Sequence, residues 1–135
     1  MAWLLDTNVA IHVRDGAPAI LDRVAALSGA VLLSVVSRVE LEGGVWRDPT
    51  LAAIRQARLE AMLTALPVLA FGNEAANAYA AIVARCGYSH RKLLDRMIAA
   101  QAIVARATLV TMNPGDFADI PDLSLDVWSP AAGGP

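Results

Sequence analysis

Trp3-Leu4-Leu5-Asp6-Thr7-Asn8 is an apolar run followed by an acid and two more residues that favour helix starts. It reads as a short buried strand turning into a helix over about Val9 to Arg14. Working outward, Pro18 in a first turn and Ser28-Gly29 at a stop bound a second helix. Val31-Leu32-Leu33-Ser34-Val35-Val36 then reads as a second strand, and Ser37-Arg38-Val39-Glu40 starts the next helix. Asp48-Pro49 looks like an N-cap with Pro at the first position of a helix that runs to about Leu66, where Pro67 ends it. Val68-Leu69-Ala70-Phe71 reads as a third strand, with a helix from Glu74 to about Cys86 and Gly87 as its left-handed cap. A long helix is expected over about Arg91 to Arg106, with Leu94, Met97, Ile98, Gln101, Ala102 and Ala105 on one face. Thr108 to Met112 gives a fourth strand, Asn113-Pro114-Gly115-Asp116 a turn, and Leu123 to Trp128 a fifth strand. Strands alternating with helices predict an α/β domain around a largely parallel sheet.

Composition narrows the class. At 135 residues the chain fits one domain, and an apolar content of 56% with positive mean hydropathy excludes disorder. Gln101 and Arg106 interrupt the stretch from Met97 to Val110, and no run approaches the ~18 uncharged apolar residues of a membrane span. Cys86 is the only cysteine, which excludes an intrachain disulfide and any Cys-rich metal cluster. The N-terminus lacks a basic segment followed by a long apolar stretch, so it does not read as a signal peptide, and a cytoplasmic location is expected. The eleven basic residues are ten Arg and one Lys, a bias toward bidentate recognition of phosphate or carboxylate.

In a doubly wound sheet, ligands bind outside the carboxyl ends of the strands. Asp6 ends the first strand, Glu40 follows the second, Asp116 lies in the turn after the fourth, and Asp95 begins the long helix. Each acid has a structural reading. Asp6 can cap a helix, Ser37-x-x-Glu40 has capping-box spacing, Asp95 gains from a helix dipole, and Asp116 sits in turn chemistry. Their conjunction at one sheet edge points further, because crowded carboxylates must either take up protons or share a cation. An all-oxygen set selects Mg²⁺ or Mn²⁺ over Zn²⁺, and such an ion suits hydrolysis of a phosphodiester. Thr7, Asn8, Thr111 and Asn113 are short polar side chains beside the same strand ends, placed to orient a carboxylate or water, or to bond the turns.

Leu5-Asp6-Thr7-Asn8, Val39-Glu40-Leu41, Leu94-Asp95-Arg96-Met97-Ile98-Ala99-Ala100 and Thr111-Met112-Asn113-Pro114-Gly115-Asp116-Phe117 together resemble the PIN-domain family, specifically VapC-type toxins of bacterial toxin-antitoxin pairs. The similarity runs from Leu4 to Phe117 with motif order and spacing intact. It implies a single-domain three-layer α/β/α sandwich over residues 1–129 and a sheet of about five mainly parallel strands, while the tail at 130–135, Pro-Ala-Ala-Gly-Gly-Pro, has nothing to pack and is expected to be frayed. It also implies a Mg²⁺-dependent endoribonuclease, with Mn²⁺ able to substitute. Asp6, Glu40, Asp95 and Asp116 match its acidic residues, Asp6 and Asp95 foremost as metal ligands. Thr111 and Asn113 match supporting positions. The implied partners are an RNA substrate, a second copy in a homodimer, and a cognate VapB-like antitoxin that inhibits the enzyme.

Arg91, Lys92 and Arg96 flank Asp95 and are candidates for RNA phosphates, with a solvated helix start as the other reading. Arg14 and Arg47, near the ends of helices that leave the Asp6 and Glu40 strands, are candidates for RNA or antitoxin contact. His12 and His90 lack an obvious carboxylate partner, Trp3, Trp46 and Trp128 suit core or dimer anchoring, and Cys86 suits a small buried hydrophobe. A phosphoacceptor receiver would need a Lys after a late strand, and the only Lys precedes a helix. A haloacid-dehalogenase-like phosphatase would need Asp-x-Asp where Asp6-Thr7-Asn8 stands, and a P-loop is absent. The remaining alternative is a catalytically silent PIN-like module that only binds protein.

Overall fold

A computed structural model describes residues 1–129; the expected tail at 130–135 lies outside them. In chain order the elements are β1 (Ala2–Leu5), α1 (Thr7–Arg14), α2 (Pro18–Ala25), β2 (Ala30–Ser34), α3 (Val35–Arg47), α4 (Ala52–Ala65), β3 (Val68–Leu69), α5 (Asn73–Cys86), α6 (Leu93–Ala105), β4 (Thr108–Thr111) and β5 (Leu125–Val127), with a 3₁₀ turn at Pro114–Asp116 between the last two strands. The strands form one sheet in the order β3-β2-β1-β4-β5, every pairing parallel.

Strand alternation builds the layers. Leu4 pairs in register with Leu32 and Leu109, and all three pack into a cluster with Ile98, Ala99 and Ile82 of α6 and α5. One residue on, Leu5 pairs with Leu33 and Val110, and these face the opposite side, where α1, α2, α3 and α4 supply Val9, Ile20, Leu41 and Leu59. Two successive rows of one register thus form both inner faces of a three-layer sandwich. Chain direction from β1 goes to one neighbour through α1 and α2, whereas β4 is reached through α5 and α6. A crevice opens at the carboxyl ends of β1 and β4, where the order reverses. Among the described residues, no helix is long and apolar enough to cross a membrane.

Several boundaries differ from the sequence expectation for local reasons. The second strand stops at Ser34, not Val36, because the Ser34 hydroxyl accepts from Val36 N at 2.9 Å and starts α3 there. Ser37 is therefore inside the helix and cannot form a capping box with Glu40. Asp48 accepts from Thr50 N at 3.0 Å and Thr50 Oγ1 at 2.7 Å, so Asp48-Pro49 makes a turn and α4 begins only at Ala52. The third strand is two residues long. On α6 the five consecutive residues Ile98, Ala99, Ala100, Gln101 and Ala102 are all buried, so this stretch is covered all round, whereas Leu94 is 44% exposed. Gln101 is a polar tie within this stretch: it accepts from the Ser34 hydroxyl and donates to Leu69 O and Ala70 O, both at 3.1 Å.

Candidate active site

Asp6 leaves β1 through Asp6 N–H donating to Val110 O at 2.9 Å and becomes the N-cap of α1. One carboxylate oxygen accepts from Thr7 N and the other from Thr111 Oγ1, both at 2.8 Å, and the residue is only 4% exposed. Capping and site placement coexist in this residue, since each carboxylate oxygen retains acceptor capacity. Thr111 Oγ1 in turn accepts from Asn113 N at 3.0 Å, which bends the chain out of β4 toward Asp116.

Thr7 Oγ1 donates to Glu40 Oε1 at 2.8 Å and lies 2.8 Å from Ser37 Oγ. A hydroxyl has one hydrogen, so Ser37 must be the donor to Thr7, giving a relay from Ser37 through Thr7 to Glu40. Ser37 is fully buried. Sequence reasoning missed it because its spacing to Glu40 imitated a cap.

Asp6, Glu40, Asp95 and Asp116 all line one cavity of about 420 Å³, together with Thr7, Asn8 and Asn113. Burial pushes the Asp6 carboxyl up; the hydrogen bonds from Thr111 and Thr7 oppose this, and the charges of Asp116 and Glu40 add to it. Asp95 is raised from 3.8 to about 6, by burial first, then by the charges of Asp6, Asp116 and Glu40, with Arg91 opposing. The four acids therefore sense one another across the cavity.

Among the described residues no group of three or more His, Cys, Asp or Glu side chains stands close enough together to hold a metal ion as arranged. The cavity's donors are instead carboxylate, hydroxyl and amide oxygens without imidazole or thiol. That set fits a hard, oxygen-seeking cation such as Mg²⁺ or Mn²⁺ better than Zn²⁺.

The basic candidates divide. Arg14 and Arg47 line the cavity, and so does Arg55 of α4, which nothing in the sequence placed there because its helix reaches the site only by packing. Arg91 and His90 line an adjoining cavity of about 500 Å³ that shares Glu40 and Asp95. Arg96, expected at the RNA surface, is 2% exposed: it donates to Gly87 O and, at 2.9 Å, to Asp119 Oδ2. Lys92 Nζ is also drawn to Asp119, at 3.7 Å, and lines neither cavity. Both side chains tie the start of α6 to the segment that follows Asp116. Trp128 is buried with Arg23 stacked 4.6 Å above its ring, Trp46 is 69% exposed, and Cys86 is half-buried, donating to Asp119 O at 3.1 Å.

The sequence pattern of the PIN domain family matches residues 3–123, a span that contains all four acids. The chain belongs to the PIN-domain family. Within that family its likeness is to VapC-type members. Ribonuclease VapC2 of Rickettsia felis is 27% identical over 135 residues, covering 95% of this chain and 98% of that protein. The structure of VapBC2 from Rickettsia felis bound to a fragment of promoter DNA superimposes with a TM-score of 0.83 at 26% identity, covering 96% of this PIN domain and all of that chain. DNA-bound VapBC from Salmonella typhimurium gives 0.81 at 26% identity over 95% and 98% of the two chains. FitAcB from Neisseria gonorrhoeae gives 0.76 at 27% identity over 91% and 95%.

Proposed function

We propose that this PIN domain is a Mg²⁺-dependent endoribonuclease toxin, held inactive by a cognate antitoxin. The observation that carries the reading is the convergence of Asp6, Glu40, Asp95 and Asp116, from four separate parts of the chain, on one polar cavity at the switch point of the sheet. The ribonuclease relative and the VapBC complexes support the substrate and the partner class. Asp6 and Asp95, with Asp116 and Glu40, are the residues that would hold the ion. When bound, it supplies a hydroxide nucleophile at neutral pH and offsets charge building on the phosphate.

The protein's own groups do the rest. Thr7 N, Thr111 Oγ1 and the N-cap geometry fix both oxygens of Asp6, so this carboxylate loses little freedom when it engages a ligand. Thr7 occupies Oε1 of Glu40 and leaves Oε2 free to accept a proton from the attacking water. Burial and the charges of Asp6, Asp116 and Glu40 hold the metal-free Asp95 carboxyl up at about 6, so a cation bound there would displace its proton. Val39 and Trp46, seven residues apart on α3 and 67% and 69% exposed, offer apolar surface for the antitoxin or for a second copy in a homodimer.

The test is cleavage of RNA by the protein purified alone. Cutting in Mg²⁺ or Mn²⁺, none in EDTA, and a loss of at least about a hundredfold in a folded Asp6→Asn variant are expected. Equal cutting in EDTA would overturn the metal requirement. Binding to an antitoxin without any cutting would leave only a protein-binding module.

A further inference from the structure

Five carboxylates and three guanidinium groups line the cavity that holds the four acids, a formal excess of two negative charges that one divalent cation would cancel. Four of the carboxylates gather at one end, whereas the fifth, Asp15, is paired with Arg14 at the other. On α3, Glu40, Gly44 and Arg47 lie at i, i+4 and i+7, one stripe facing the cavity. On α1, Thr7 and Arg14 have the same seven-residue spacing. Both helices therefore run from the acidic end to a basic end about 10 Å further along.

The basic end is built around Gly44. A methyl group there would stand 3.2 Å from Arg14 Nη1, and Arg55 Nη1 donates to Gly44 O at 3.0 Å from the neighbouring helix. Arg14 is 6% exposed and held by Asp15 at 3.0 Å, which makes it the support of this end. Arg47 has no ion pair or side-chain hydrogen bond among the described residues, and Arg55 spends only Nη1 on protein. Two arginines with free donors beside a carboxylate cluster, on a rigid glycine seat, have the geometry for an anion with several oxygens.

We propose that Arg47 and Arg55, seated at Gly44 with Arg14 behind them, form a phosphate subsite that holds the RNA backbone beside the scissile bond. It rests on the reading that this cavity cleaves RNA, and it assigns the acids to chemistry and the arginines to substrate retention. RNA is favoured over an acidic protein segment because the subsite continues the groove that leads to the acids. A carboxylate-rich segment threaded along it would meet like charge.

The test uses the full chain purified alone. Binding of a labelled single-stranded RNA is measured in EDTA across a range of salt, and cleavage separately in Mg²⁺. Wild type is compared with Arg47→Gln, Arg55→Gln, the double variant, and Arg85→Gln in the last turn of α5 as a charge-matched control. Each cavity variant should flatten the log-log salt dependence by about 0.7, and the double variant should raise Kd and KM by ten- to a hundredfold. The Mg²⁺ concentration for half-maximal cleavage should stay at the wild-type value, and the control should follow wild type. Unchanged melting temperatures verify folding. An unaltered affinity and salt slope in the double variant overturns the subsite. A loss of the same size in Arg85→Gln does so too, as does a double variant that keeps RNA but loses binding of a hexaglutamate peptide. If wild type binds RNA through these arginines yet cuts none in Mg²⁺, the nuclease reading falls and the subsite stands.

Discussion

Asp95 carries a cost that the proposed metal site would explain. Its carboxyl sits near 6 in the folded protein against 3.8 ordinarily, so the folded state holds this proton more tightly than the unfolded chain. The stabilising contribution is complete below about pH 3.8 and is lost as pH rises through 6, leaving the metal-free protein strained at neutrality. A shift of that size in a half-buried group is worth on the order of 1 kcal/mol after solvent screening. Asp95→Asn should therefore abolish cleavage yet raise the melting temperature of the metal-free protein by about 3 °C at pH 7. That gap over wild type should close as pH falls from 6 to 4, which a series of thermal melts checks. Thr111 tests the same logic through Asp6. Thr111→Val removes the donor to Asp6 Oδ2 and the acceptor for Asn113 N. Mg²⁺ affinity should fall about tenfold and stability by about 1–2 kcal/mol, read by metal titration and denaturant unfolding.

At the scale of elements, short polar residues set the boundaries that apolar periodicity left open. Ser34 ends β2, caps α3 and donates to Gln101 across the sheet edge. Ser34→Ala should cost about 2 kcal/mol, since it loses a cap and leaves the Gln101 carbonyl oxygen without a donor. The start of α6 is held otherwise, by Arg96 and Lys92 converging on Asp119. Arg96→Met should destabilise by about 2 kcal/mol in urea unfolding, less than for a fully buried pair because Asp119 is 38% exposed. In sequence Arg96 looks like a basic flank of Asp95. Only the packing of α6 on α5 shows that position 96 points inward. Likewise, Ser37-x-x-Glu40 satisfies a capping rule in sequence, but a helix beginning two residues earlier makes Ser37 the first hydroxyl of a relay through Thr7.

For the whole molecule, convergence of four acids stores repulsion that a bound cation would relieve. An ion that binds only the folded state stabilises it by about 2.7 kcal/mol at a hundredfold excess over Kd. Millimolar Mg²⁺ should accordingly raise the melting temperature by several degrees in wild type and far less in Asp95→Asn, and a flat response in wild type would contradict a shared metal site. Unbroken apolar runs at Leu4-Leu5, Leu32-Leu33 and Leu109-Val110, with helices between, determined from sequence alone that the sheet is parallel and covered on both faces. It also placed Asp6, Glu40, Asp95 and Asp116 near one sheet edge, because strand ends and helix starts are local properties of the chain. Tertiary structure alone decided which hydroxyls hold those acids, that Arg96 is buried, and that Arg55 reaches the cavity from α4. These depend on how helices distant in sequence rotate and pack against one another, and no local pattern of residues encodes that rotation.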